Sequence, residues 1–186
     1  MARTISTFGQ RCKILLLCQM ATSVLCRGEM QAMSKATFYL LPNAAQQPSA
    51  EQLQRLACQL AGQHYAKGEW LYIHCEDQVQ AHGIDELLWQ FEPSAFVPHN
   101  LKGEGPAAGA PVEIGFDRLG PNQRRPILIN LANEAPAFAV NFGRIIDFVA
   151  GDEQHKALAR DRYRQYRNLG VTLSTQDLAT QPLNFV

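Results

Sequence analysis

The feature that most restricts the fold of this chain is an alternation of short apolar runs with segments of helical period. Ala36-Thr-Phe-Tyr-Leu-Leu41 is a run of strand formers closed by Pro42-Asn43, the pattern of a buried strand. Pro48-Ser49-Ala50-Glu51-Gln52 then announces a helix, with Ser49 as N-cap and Gln52 completing a capping box. Leu53, Leu56, Ala57, Leu60 and His64 follow on one helical face, and Gly68 ends it. Trp70-Leu-Tyr-Ile-His-Cys75 is a second apolar run. Glu76-Asp77 caps a helix from about Gln78, which Asp85 renews for Glu86-Leu-Leu-Trp89. Strand, helix, strand, helix predicts an α/β fold: three layers, with a mostly parallel sheet covered by helices on both faces.

Residues 91–110, with Pro93, Pro98, Gly103, Gly105, Pro106 and Gly109, read as a long irregular stretch, which in a small domain tends to be functional or mobile. Val112-Glu-Ile-Gly-Phe116 and Ile127-Leu-Ile-Asn-Leu131 supply two further strands, joined by the polar turn Gly120 to Pro126. Pro136 opens a predicted helix in which Phe138, Phe142, Ile145 and Val149 repeat with helical period. Gly151-Asp152 breaks it. A last helix runs from about Glu153 to Leu169, stopped by Gly170, and Val171-Thr-Leu-Ser reads as an edge strand. Residues 179–186 read as a frayed tail.

Residues 1–32 stand apart from this pattern. Arg11 and Lys13 before Ile14-Leu15-Leu16-Leu17-Cys18 imitate a signal peptide, but Gln19 and Thr22-Ser23 interrupt the apolar region. No small-x-small cleavage site follows, and bulky Leu25 before Cys26 argues against lipoprotein processing. The better reading is a start at Met33 or Met30, with 1–32 a disordered or mis-assigned leader and 33–178 a single domain. No apolar run approaches the roughly 18 residues that span a bilayer, so no membrane role is expected.

Charge sharpens the picture. The whole chain carries 17 basic and 17 acidic groups, which argues against a general nucleic-acid coat. That total is a sum of unlike parts: residues 1–32 are net +3 and the remaining 154 residues net −3. Only Cys58 and Cys75 lie in the body, too few for a disulfide framework, which suggests a reducing, cytoplasmic compartment.

Catalytic and cofactor motifs are absent from the sequence. The first strand–helix junction, Pro42 to Pro48, has no glycine or lysine to cradle phosphate, so it is no P-loop. Gly103-Glu-Gly-Pro-Ala-Ala-Gly109 has scattered glycines, but Glu104 would repel phosphate. The five histidines are dispersed, no Cys-x-x-Cys or His-x-x-x-His occurs, and no serine sits in a Gly-x-Ser-x-Gly elbow. Cys75 beside Glu76-Asp77 reads as a buried structural cysteine, because acidic neighbours raise a thiol's pKa. No metal, cofactor or catalytic constellation is expected.

The concentrated feature is the last helix. Gln154 to Gly170 holds five basic residues against the single acid Asp161. Lys156, Arg160, Arg164 and Arg167 are spaced at i, i+4, i+8 and i+11, one stripe, with Tyr163 interleaved. An exposed basic helix is most often only a solvated face. Here the cations are mostly arginine, which grips carboxylates bidentately, an aromatic ring accompanies them, and the rest of the body is acidic. Such a surface suits phosphates or an acidic peptide with an apolar anchor.

These stretches resemble the chi subunits of bacterial DNA polymerase III holoenzyme. The resemblance covers about Lys35 to Leu178. It rests on Ala36–Leu41, Asp85-Glu-Leu-Leu-Trp89, Phe96-Val-Pro-His-Asn-Leu-Lys-Gly-Glu-Gly-Pro106, Ala110-Pro-Val-Glu-Ile114, Asp147-Phe-Val149 and Leu158 to Arg167. It implies a Rossmann-like, nucleotide-free fold and a non-catalytic accessory subunit of DNA replication. Such subunits pair with psi, which tethers them to the clamp loader, and bind the acidic, phenylalanine-ended C-terminal tail of single-stranded-DNA-binding protein; DNA contact would be mainly indirect. By position in the motif, Arg160 and Arg164 would take the tail's carboxylates with Lys156 in support. Tyr163, Val149 and Phe96, with Trp89 nearby, would form the apolar pocket for its terminal ring. The turn Gly151-Asp152 lacks the proline expected after Val149. On the residues alone, direct single-stranded nucleic-acid binding and a degenerate nucleotide-binding enzyme stay open as rivals.

Overall fold

The computed structural model describes residues 34–41, 50–90, 96–106, 108–151 and 153–180. Expectations for the leader, for Pro42-Asn43, for the Ser49 cap and for residues 181–186 lie outside the described residues. The strands are β1 (Lys35–Leu40), β2 (Leu71–His74), β3 (His99–Leu101), β4 (Val112–Gly115), β5 (Ile127–Asn130), β6 (Arg144–Val149) and β7 (Thr172–Asp177). The helices are α1 (Ala50–Ala66), α2 (Gln78–Gln90) and α3 (Glu153–Asn168), with a 3-10 turn at Ala137–Asn141. The strands form one seven-stranded sheet in the order β3-β4-β2-β5-β6-β1-β7. Every neighbouring pair is parallel, so the expected α/β sheet is parallel throughout.

The two faces bury different side chains. Leu71, Ile73, Val112, Ile114, Ile127, Ile129, Ile146 and Phe148 pack under α1 and α2 through Ala57, Leu60, Ala61, Ala81, Ile84 and Leu88. Ala36, Phe38, Tyr72, Leu128 and Ile145 point the other way, into a second core with Phe138, Phe142 and Tyr166. Strands covered on both sides need apolar residues at both parities, which is why β2 and β5 read as continuous runs.

One element departs from expectation. Residues 144–149 are strand β6, between β5 and β1, and the predicted helix from Pro136 shrinks to the 3-10 turn. A central strand buried on both faces shows no alternation, so Phe138, Phe142, Ile145 and Val149 satisfied a helical template by coincidence of spacing. The irregular stretch likewise conceals β3, three residues long at the sheet edge. Cys75 is a buried thiol, as expected, and so is Cys58, each pushed up to about 12. Burial is the main cause, ahead of the acidic neighbour Asp77.

Two predictions follow from the α3-side core. A Cβ on Gly115 would collide with Tyr72 Oη, so Gly115→Ala should cost about 1–3 kcal/mol in urea unfolding. Burial also pushes the His74 imidazole down from 6.5 to about 4. Between those values the unfolded chain binds a proton that the folded chain refuses, so stability should fall as pH drops through that window. His74→Phe should flatten that slope in unfolding titrations run across it.

Candidate functional site

The site is built on α3, and its geometry starts beneath the helix. Ala159, Arg162 and Tyr166 are the buried seam of α3. Arg162 reaches down to the fully buried Asp147 on β6, with Nε 3.0 Å from both carboxylate oxygens and Nη2 2.8 Å from Oδ1. The same Nη2 donates to the Phe148 carbonyl at 2.9 Å, and Asn130 Nδ2 lies 3.3 Å from Asp147 Oδ2. Tyr166 meets Phe38 edge-on at 6.0 Å. These contacts fix the rotation of α3 and turn its basic stripe toward β1 and β7.

The result is a cavity of about 560 Å³ between α3 and the end of the sheet formed by β6, β1 and β7. Phe38, Leu40, Val149 and Ala159 supply its apolar lining, with Thr175 from β7. Lys156, Arg160, Arg164 and Arg167 supply its cations. Tyr163 stands between the two sets, its ring 5.5 Å from that of Phe38. Cations beside an apolar lining can take a ligand that carries negative charge and an aromatic or aliphatic end.

Five of the seven residues singled out in the sequence thus meet in one place: Lys156, Arg160, Arg164, Val149 and Tyr163. Trp89 and Phe96 do not line this cavity. They pair with each other at 5.5 Å, each 60% exposed, and Trp89 also stands 5.0 Å from His99 of β3. The sheet explains the separation. β3 and β7 are its opposite edges, and α2 packs on the face away from α3. Phe38, Leu40, Ala159 and Thr175 went unrecognised in the sequence. Phe38 and Leu40 share a strand face by alternation, but their place beside α3 depends on β1 lying between β6 and β7.

Among the described residues, no group of three or more His, Cys, Asp or Glu is placed to hold a metal ion. No helix among them is long and apolar enough to cross a membrane.

Comparison with known proteins bears on the same residues. The family model described as DNA polymerase III chi subunit, HolC, matches residues 33–174. The DNA polymerase III subunit chi of Escherichia coli K12 is 43% identical over 143 residues, covering 77% of this chain and 97% of that protein. Its namesake from Haemophilus influenzae is 44% identical over 126 residues, covering 68% of this chain and 88% of that protein. The Pseudomonas aeruginosa one is 40% identical over 146 residues, covering 78% and 98%. A crystal structure of T4 UvsW aligns with a TM-score of 0.50 at 9% identity, covering 80% of this chain and 42% of that one. That likeness concerns the α/β fold alone.

Arg162 and Arg160 should behave oppositely in unfolding experiments. Arg162→Ala leaves Asp147 buried and unpaired, at a cost of about 3–5 kcal/mol. Arg160→Ala, on the exposed stripe, should stay within about 0.5 kcal/mol of wild type in the same urea titration.

Proposed function

The chain belongs to the DNA polymerase III chi subunit family, and from that premise we propose that it captures the acidic C-terminal tail of single-stranded-DNA-binding protein in the α3 cavity. The observation that carries this reading is the juxtaposition of Lys156, Arg160, Arg164 and Arg167 with Phe38, Leu40 and Val149 in one cavity. An acidic segment ending in phenylalanine matches both halves: carboxylates for the cations, a ring for the apolar lining. The protein is then a non-catalytic, cytoplasmic accessory subunit of replication whose domain is 33–178. It joins the tail-bearing protein to the clamp loader through psi, and its contact with DNA is mainly indirect.

The link to psi calls for a second surface. The exposed Trp89–Phe96 pair, at the β3 edge and on the other face, is the apolar surface we assign to it. Separate surfaces allow both partners to be held at once.

Binding couples the ordering of a disordered tail to docking on a rigid helix, so affinity should be modest and salt-sensitive. Arg160→Ala should weaken a synthetic tail peptide by about 1.5–3 kcal/mol in calorimetry, the range for a charge-assisted hydrogen bond. Removing the peptide's terminal phenylalanine should abolish binding, whereas Trp89→Ala should leave it unchanged. Unchanged affinity in Arg160→Ala would remove that residue from the site. Saturable binding of naked single strands, with none of the peptide, would favour a nucleic-acid module instead.

A further inference from the structure

Three of the four cations of the cavity already face a carboxylate before any ligand arrives. Glu153, in the first turn of α3 with a side chain 79% exposed, holds Lys156 Nζ at 3.0 Å and lies 4.0 Å from Arg160 Nη2. Asp161 holds Arg164 Nη1 at 2.6 Å. Among the described residues Arg167 is in no ion pair. Both acids are exposed, and neither packs into either core. Exposed pairs of this spacing contribute little to stability, so their consequence is to be sought in binding.

We propose that Glu153 and Asp161 are resident placeholders, carboxylates that an incoming acidic segment must displace to reach Lys156 and Arg164. The proposal rests on the tail-capture reading and concerns the specificity of that same cavity. In the free protein Lys156 and Arg164 each hold a carboxylate by a hydrogen bond, whereas Arg160 only faces Glu153 at 4.0 Å. At Lys156 and Arg164 a ligand carboxylate therefore exchanges one charge-assisted contact for another and gains little by doing so, which leaves Arg160 as the cation that supplies a new contact. The displaced acids also remain on the helix and repel it. An anion with nothing to set against Phe38 and Val149 gains only this exchange and the contact at Arg160, too little to be retained. A segment that also buries a terminal ring gains the apolar term in addition, and it alone is retained. The placeholders thus make the site selective for acidic segments with an aromatic end over acidic segments in general.

The test is calorimetry at low ionic strength with two synthetic peptides, an acidic tail ending in phenylalanine and the same tail without it. The proteins are wild type, Glu153→Gln, Asp161→Asn, the double variant and Glu86→Gln. Glu86 is exposed on α2, on the opposite face, and changes the net charge by the same unit. Each single placeholder variant should tighten the full tail by about two- to fivefold, and the double variant by about tenfold, as expected for releasing exposed ion pairs. The shortened peptide should bind measurably to the double variant and not to wild type. These gains should shrink as salt is raised. Glu153 also favours the helix N-terminus, so Glu153→Gln should lower Tm slightly while raising affinity, a divergence that a purely structural role would not produce.

A double variant that binds no tighter than wild type overturns the proposal, as does equal tightening by Glu86→Gln. If wild type binds the tail and Arg160→Ala weakens it while the placeholder variants change nothing, this inference falls and the tail-capture reading stands. If wild type binds no tail at all, both fall.

Discussion

Asp147 sits fully buried within β6, flanked by Ile146 and Phe148, and a carboxylate there is tolerable only if it is paired. An unpaired ion at that depth costs several kcal/mol, and Arg162 answers it with two nitrogens plus a further bond to the Phe148 carbonyl. The planar guanidinium restricts the solution severely, because a lysine in its place would be a single point charge free to swing. One residue of slippage along α3 turns a side chain by about 100° and moves it by about 1.5 Å, enough to break this geometry. The pair therefore sets the rotation and the axial position of α3 together. Everything exposed on that helix inherits its direction from the buried bond.

A second buried pair lies on the same side of the sheet. Arg125 Nε stands 2.9 Å from Glu113 of β4, donates through Nη1 to the Pro111 carbonyl at 2.8 Å, and places its guanidinium 5.2 Å from the Trp70 ring. It fastens the segment leading into β5 to the start of β4. Among the described residues the α1–α2 side has no buried arginine–carboxylate pair; its polar contact is His99, 3.4 Å from the partly exposed Asp85 of α2. Apolar packing tolerates small slides, whereas bidentate ion pairs do not. Buried pairs add little net stability against a well-packed apolar alternative. Their placement on the α3 side fits a role in fixing geometry, on the face where the cavity needs fixed geometry.

This division explains what the sequence disclosed. The basic stripe was legible because a helix maps sequence spacing onto a surface directly: Lys156, Arg160 and Arg164 need no partner element to be neighbours. The cavity lining was not, because Phe38, Leu40 and Thr175 join it only through a strand order that spacing does not encode. Trp89 and Phe96 lie apart from that cavity for the same reason, since strand order puts their aromatic pair at the β3 edge and Tyr163 beside β1 and β7. β6 was misread as helix because burial on both faces erases alternation. The sequence carries one further signal. Arg162 lies in the seam of Ala159 and Tyr166, and Asp147 interrupts an apolar run; each is anomalous alone, and together they account for one another.

The neutral total charge also takes on meaning from this geometry. Electrostatic attraction between exposed groups decays within roughly 8 Å at physiological salt, so a ligand at the cavity responds to the α3 cations and hardly to the sum over the chain. Nucleic acid responds differently, since its affinity grows with the number of phosphates neutralised along an extended surface. A short stripe on an otherwise acidic body offers few such contacts, and Glu153 and Asp161 reduce them further. A replication subunit works beside a large excess of DNA, and a broadly basic surface would be occupied by it. Confining positive charge to one helix over an apolar lining leaves the cavity open to a ligand that combines a few carboxylates with a ring.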